Sequence, residues 1–193
     1  MDDVLVLIPL KGFDLSKQRL RLEGYPRPDL LMRHLAEGVI RACAPRRCVV
    51  VCEEPDVALW ALRRGAQVWL NRATGLNDAL TRARTGLRDR AHVLLVVHGD
   101  LASPTGLDTL DLSAPVTIVT DRHGRGTNAL GLHREVEFTF EFGEDSAGRH
   151  RDQALARGLA HHVLEHSSWS LDIDTMDDLA QTADEGGFLT PLA

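Results

Sequence analysis

At 193 residues the chain has room for one domain with a substantial core, and two independent domains would be cramped. It is 44% hydrophobic and 26% charged, as soluble globular proteins are, and no apolar run approaches the roughly 20 residues of a membrane helix. A net charge of −6 argues against an extended nucleic-acid surface, and the acidic start MDDVLVLIPL is unlike a secretory signal, so the expectation is a cytoplasmic protein handling small charged ligands, with no nucleic-acid or membrane partner.

Val4–Ile8 is a compact apolar run closed by Pro9, the pattern of a strand buried on both faces. The polar loop KGFDLSKQRL follows. Behind Pro28, a residue suited to a first helical turn, Leu31, Leu35, Val39 and Ala42 recur at helical spacing and predict a helix to about Cys43. RCVVVC at 47–52 reads as a second strand, 55–64 as a helix, and Gln67–Leu70 as a short third strand. Leu76, Leu80, Ala83 and Leu87 build one apolar helix face, and HVLLVV at 92–97 reads as the fourth strand. This alternation predicts a parallel sheet joined by right-handed crossovers.

The second half is less regular. Val116–Thr120 and Asn128–Leu132 read as strands, and EFTFEF at 137–142 alternates polar residues with Phe in the antiparallel manner. A helix over about 146–159, a strand-like stretch near 170–173 and a last helix from about Thr175 complete the chain. The reading is α/β: one domain over 1–193, with a central mixed, mostly parallel sheet and helices on both faces. Cys43, Cys48 and Cys52 match neither a CxxC pair nor a zinc-ribbon spacing and are expected as ordinary thiols.

Ligands of open α/β sheets bind beyond the carboxyl ends of the strands, so the unusual loops should share one rim. After the first strand lie Lys11, Lys17 and Arg19; after the fourth, His98, Gly99 and Asp100; after the strand near 118, Asp121, Gly124 and Gly126. Clustered cations suit a polyphosphate, although neither GxxxxGK[ST] nor GxGxxG is present. In LDIDTMDDL the carboxylates of Asp172 and Asp174 flank Ile173, so on an extended segment they point one way while Ile173 points to the core. Two such carboxylates repel unless a cation sits between them. Asp100, Asp172 and Asp174 are therefore the candidate metal ligands, a donor set suited to Mg²⁺. Thr175 and Asp178 fit a capping box, which assigns Asp177 and Asp178 to the start of the last helix. In FGEDSAGRH, Gly143 and Ser146 open a helix whose first N–H groups are a candidate anion site, with Asp145 or Ser146 as the alternative cap and Arg149 and His150 near the anion or exposed. His161, His162 and His166 read as a helix end and connector.

Taken in order, IPLKGFDLSKQRL at 8–20, GLNDAL at 75–80, Asp100, DRHGRGTNAL at 121–130, FGEDS with RH at 142–150, and LDIDTMDDL at 171–179 resemble the guanylyltransferases that make the activated phospho-acid precursor of coenzyme F-420. The resemblance implies a Rossmann-like, GT-A-like nucleotidyltransferase fold and transfer of GMP from GTP to the phosphate of phosphoenolpyruvate or 2-phospho-L-lactate, with release of pyrophosphate and with Mg²⁺. It further implies Thr127, Gly143 and Ser146 as phospho-acid contacts, Lys11 and Lys17 facing the triphosphate, Gly75 and Asn77 at the nucleoside, and Asp100, Asp172 and Asp174 at the metal, with Asp100 and Lys17 catalytic. Asn128 would lock the 121–126 loop. One departure is local: where the family usually carries Ala-Asp-Leu-Pro, this chain has Gly99-Asp100-Leu101-Ala102.

Alternatives stay open. A nucleotidyltransferase of the same fold acting on a sugar phosphate or a molybdenum cofactor, and a nucleotide-binding homologue without turnover, fit many of the same residues. The sequence leaves the choice among phosphoenolpyruvate, 2-phospho-L-lactate and 3-phosphoglycerate, the preference for guanine over adenine, and a homodimeric assembly undecided.

Overall fold

Seven strands form one sheet in the computed structural model, which describes residues 3–165 and 168–184. In chain order the elements are β1 (Val4–Pro9), α1 (Gln18–Leu22), α2 (Pro28–Ala42), β2 (Arg47–Cys52), α3 (Pro55–Leu62), β3 (Gln67–Leu70), α4 (Leu76–Leu87), β4 (Val93–Val97), β5 (Val116–Thr120), β6 (Thr127–His133), α5 (Ser146–Ala156), β7 (His161–Leu164) and α6 (Met176–Asp184). The strand order is β3-β2-β1-β4-β6-β5-β7. β6 pairs antiparallel with both β4 and β5, and the remaining pairings are parallel.

The core follows from strand alternation. Val4, Val6 and Ile8 of β1 pack with Met32, Ala36 and Val39 of α2 and with Val57 and Trp60 of α3. Leu5 and Leu7 face the other way, toward Leu80, Ala83 and Leu87 of α4 and Ala147 and Ala154 of α5. With helices on both faces, the carboxyl ends of β1, β2 and β4 are left as an open rim, and the helices of the βαβ units start from it. Cys43, Cys48 and Cys52 are buried free thiols, as expected.

Three expectations need correction. EFTFEF is not a strand: Phe138, Phe140 and Phe142 are buried and their neighbours are not, but the backbone has no ladder partner. Side chains satisfy it instead. Arg84 donates to the carbonyls of Val136 and Phe138, Gln153 takes both ends of Thr139, the Glu141 N–H donates to His150, and Asn77 takes both ends of Phe142. The stretch near 170–173 contributes a single bridge, Leu101 to Asp172, instead of a strand. His161 and His162 open β7, an edge strand on β5, instead of ending a helix, and His166 lies outside the described residues. The loop after β1 also holds α1, which the sequence pattern does not announce.

Because Arg84 serves two carbonyls of a segment that has no strand to pair with, Arg84→Ala should lower the unfolding free energy by about 1–3 kcal/mol, the cost of leaving buried acceptors unserved. Urea unfolding measures this. Stability equal to that of the parent would show that water replaces the guanidinium without loss.

Candidate active site

A buried ammonium sits at the rim. Lys17 precedes α1 with left-handed backbone, φ 54° and ψ 44°, a conformation costly for a side-chain-bearing residue. That turn sends the side chain inward, where it is only 3% exposed. Its Nζ lies 2.5 Å from Asp100 Oδ2 and 2.9 Å from Asp174 Oδ1. Leu20, next along α1, packs with Leu31, Leu35, Ala102 and Ile173, so one small apolar cluster fixes both the lysine and the segment bearing the acids.

Asp100 and the pair Asp172/Asp174 come from distant parts of the chain. The segments are stitched by Ala102 N–H to the Leu171 carbonyl at 2.9 Å and Ile173 N–H to the Asp100 carbonyl at 3.2 Å. Ile173 is fully buried, and the carboxylates on either side of it turn to the rim. Ligand oxygens of Asp100, Asp172 and Asp174 all fall within 4.8 Å of one another. The spatial convergence expected from LDIDT is therefore present.

Their electrostatics divide. Burial pushes the Asp172 carboxyl up, and the like charges of Asp100 and Asp174 push it further. Burial works on Asp100 in the same direction, but the Lys17 ammonium, and His98 after it, hold Asp100 below the ordinary carboxylate value. For Lys17 burial acts to lower the value and the two aspartates overcome it, so its pKa is raised. One ammonium thus faces three carboxyl groups. Asp100 Oδ1 and His98 Nε2 are buried with no hydrogen-bond partner among the described residues. A hard, oxygen-preferring divalent cation fits this donor set: three carboxylates, one with an unspent oxygen and one whose proton affinity is raised by its neighbours.

Beside the triad opens a cavity of about 520 Å³ whose walls include Lys11, Gly12, Ser16, Lys17, Gly75, Gly99, Asp100 and Asp174. Glu53 and Glu54, at the end of β2, also line it and were not among the expected site residues; a carboxylate pair after the second strand was the signal available. Arg19 is exposed on α1 and is absent from that wall. Gly99, the family departure, packs tightly: a Cβ there would come within 2.5 Å of the Leu10 side chain.

A second cavity, of about 600 Å³, lies between the loop after β5 and the start of α5, lined by Asp121, His123, Arg125, Gly126, Gly143, Glu144 and Asp145. Asp121 shapes it by accepting the N–H groups of His123 and Arg125, and Gly126 lies so close that a Cβ would meet Asp121 Oδ2 at 2.6 Å. Gly143 turns at φ 133°, which glycine alone adopts without strain.

Thr127 and Ser146 are each 2% exposed and stand one residue behind this wall, next to Gly126 and Asp145. The N–H groups of Ser146 and Ala147 already donate, to Gly143 O and Arg125 O, so the start of α5 is not the open N–H cluster its sequence suggests. Asp145 occupies the cap position without a side-chain capping bond. Nor does Asn128 lock the 121–126 loop; its Nδ2 donates to Trp169 O at 3.0 Å and reaches Asp172 Oδ1 at 3.4 Å, bracing the acidic segment. Asn77 commits its amide to Phe142 at both ends.

His150 is buried, not exposed, and organises the hydroxyl. Its Nε2 accepts the Glu141 N–H at 3.1 Å, so the ring proton is on Nδ1 and is donated to Thr127 Oγ1 at 3.0 Å. Thr127 thereby accepts one bond and keeps its own proton to give. The i, i+4 spacing of Ser146 and His150, one face of α5, was the sequence sign of this role. The capping box at α6 is present: Asp178 accepts from the N–H and Oγ1 of Thr175 while its own N–H reaches Thr175 Oγ1. Asp178 also holds the Asp174 N–H at 2.9 Å and pairs with Arg122 at 2.6 Å, tying the β5 loop to the acidic segment.

The model of the family described as guanylyl transferase CofC like matches residues 4–186. A phosphoenolpyruvate guanylyltransferase of Chloroflexus aurantiacus is 32% identical, the alignment covering 91% of this chain and 92% of that protein. One of Conexibacter woesei is 40% identical over 90% of this chain and 84% of that protein. Among solved structures, a nucleotidyl transferase from Methanothermobacter has a TM-score of 0.63 at 14% identity, covering 96% of this chain and 98% of that one. A Mycobacterium tuberculosis H37Rv protein in complex with manganese has a TM-score of 0.53 at 20% identity, covering 94% and 98%. The first of these likenesses establishes that the chain has the fold of a nucleotidyl transferase, and the second shares that fold. No helix among the described residues is long and apolar enough to cross a membrane.

Burial holds the His150 pKa down to about 4, with Arg149 and then His98 adding to it. The unfolded chain binds this proton below about pH 6.5 and the folded protein does not, so the contribution is complete above that value and is lost as pH falls toward 4. Between pH 7 and 5 the protein should lose about 2 kcal/mol more stability than His150→Gln, read from urea melts. Parallel losses in the two proteins would show that His150 titrates normally.

Proposed function

The chain belongs to the guanylyl transferase CofC-like family, and from that premise we propose that it joins the guanylyl group of GTP to the phosphate of phosphoenolpyruvate, releasing pyrophosphate, as a step toward coenzyme F-420. Guanylyl transfer comes with the family; the acid is taken from the relatives, which are named phosphoenolpyruvate guanylyltransferases. An oxygen of the acid's phosphate forms a bond to the α-phosphorus of GTP as the bond from that phosphorus to the bridging oxygen of the β-phosphate breaks. No side-chain nucleophile is needed. What the chain must do is align two polyanions and offset their charge.

The observation that carries this reading is the placement of Lys17 against Asp100 and Asp174 at the edge of a cavity of about 520 Å³, with Asp172 completing the triad. Asp100, Asp172 and Asp174 would hold Mg²⁺, which when bound supplies charge neutralisation at the phosphate oxygens. Lys11 and Lys17 face the triphosphate from the β1 loop. Gly75, at φ 98° before α4, offers backbone to the nucleoside, while Asn77 acts by holding Phe142 and therefore Gly143 in place. The acid would enter the second cavity, between Gly126 and Gly143, where Arg125 is a cation in the wall. Thr127, with its proton free to donate, and Ser146 stand behind that wall as the hydroxyls nearest the anion. The enzyme works in the cytoplasm on soluble substrates.

The test is pyrophosphate release from GTP, Mg²⁺ and phosphoenolpyruvate, with 2-phospho-L-lactate and sugar phosphates as competing acceptors. Asp100→Asn should abolish release. Thr127→Val should raise KM for the acid by about tenfold or more, the worth of a hydrogen bond to a charged group, leave KM for GTP unchanged, and be rescued by Thr127→Ser. GTP binding without pyrophosphate release for any acceptor would instead favour a nucleotide-binding homologue without turnover.

A further inference from the structure

At the opposite end of β4 from the acidic triad, two imidazoles and a carboxylate meet with no role in guanylyl transfer. His92 precedes β4, His133 ends β6, and Glu135 follows two residues on. A nitrogen from each ring and a Glu135 oxygen lie within 4.8 Å of one another. His133 Nδ1 is 3.6 Å from Glu135 Oε1 and His92 Nδ1 is 4.0 Å from Oε2, with the ring centroids 4.7 Å apart. We propose that His92, His133 and Glu135 form a second metal site, one that takes a nitrogen-preferring divalent cation such as Zn²⁺.

A backbone carbonyl sets which nitrogen of His133 donates. Its Nε2 lies 2.9 Å from the Leu112 carbonyl, which can only accept, so Nε2 carries a proton and in the neutral ring it is Nδ1 that holds the lone pair. That lone pair is directed at the Glu135 side of the cluster, as the 3.6 Å separation shows. A histidine held on a backbone carbonyl through one nitrogen and open at the other is the arrangement typical of a metal ligand with its outer partner already in place. The backbones are pinned as well: Arg134 N–H donates to His92 O at 2.8 Å, His133 N–H to Pro115 O at 3.0 Å, and His92 N–H to Asp3 O at 2.8 Å.

Zinc–ligand bonds of about 2.0–2.2 Å in a tetrahedral field put donor atoms roughly 3.3 Å apart, so the separations in the cluster need to contract by at most about 1.5 Å. The two side chains that must move, His92 and Glu135, are 51% and 61% exposed, whereas the anchored His133 is 13% exposed. Donor chemistry separates the two ends of the strand. Two imidazoles and one carboxylate favour Zn²⁺, Ni²⁺ or Cu²⁺; three carboxylates favour Mg²⁺ or Mn²⁺. The five residues of β4, at about 3.3 Å each, place roughly 15 Å between the sites, so one can fill without the other. A cation here would clip the start of β4 to the end of β6 and raise stability by mass action.

The full chain, stripped of metal and held in excess MgCl2 to occupy the acidic triad, is titrated with Zn²⁺ against a chromophoric chelator, with thermal melts in parallel. One equivalent of Zn²⁺ should bind and raise Tm. His92→Gln and Glu135→Gln, both at exposed positions where folding is not at stake, should each weaken binding by about tenfold or more, while Asp172→Asn leaves it unchanged. Failure of the parent to compete with the chelator, binding undiminished in both His92→Gln and Glu135→Gln, or loss of binding in Asp172→Asn would each overturn the proposal.

Discussion

The structure turns on three carboxyl groups that must share one rim and a single buried ammonium that makes this tolerable. Removing charges from water is costly, and gathering like charges adds to that cost unless a counter-charge arrives with full contact. Lys17 provides it, at 2.5 Å from Asp100 and 2.9 Å from Asp174. The price is a left-handed backbone at Lys17 itself. What makes the arrangement rigid is apolar: Leu20, Leu31, Leu35, Ala102 and Ile173 form one small cluster to which the lysine's helix, the loop after β4 and the Asp172–Asp174 segment all belong. Charge and packing are therefore two aspects of one constraint. Asp172, the member without an ammonium, is the one whose pKa is pushed up, which marks where further positive charge is wanted.

From this centre the bracing runs outward to the second cavity. Asn128 and Thr127 are consecutive in β6, so their side chains leave the strand on opposite faces. Asn128 reaches the acidic segment at Trp169 and Asp172, and Thr127 reaches His150 of α5. Arg122, in the loop between β5 and β6, pairs with Asp178, which itself holds the Asp174 N–H. The β5–β6 loop and the start of β6 are thus each tied to the acidic segment, through Arg122–Asp178 and through Asn128. Where two anionic reactants must be aligned, bracing of this kind between neighbouring cavities helps to hold them in line.

Much of this was legible in the sequence because it rests on local periodicity. The buried strands β1, β2 and β4 announce themselves as short apolar runs, and α2 and α4 by leucines at helical spacing. The convergence of Asp100 with Asp172 and Asp174 follows from the alternation around Ile173 and the rule that loops at strand carboxyl ends share a rim. What misled was alternation without a partner. EFTFEF buries every second residue, as a strand does, yet side chains of Arg84, Asn77, His150 and Gln153 serve its backbone, and periodicity cannot distinguish a ladder from such a cradle. The pairing of Lys17 with Asp100 and Asp174 was not legible, because the inward direction of its side chain depends on a left-handed backbone that composition does not reveal. The sequence left His150 either near an anion or exposed, and only the packing of α5 against β5 shows that its side faces in.

The central claim is that the three carboxylates are a seat for a divalent cation with Lys17 as resident counter-charge. The most direct measurement is Mn²⁺ binding followed by electron paramagnetic resonance on the protein alone, without nucleotide. The account predicts Mn²⁺ bound at a site that Asp172→Asn weakens by about tenfold or more, the usual scale for disturbing a metal's ligand set. Mn²⁺ occupancy identical in the parent and in Asp172→Asn would contradict it.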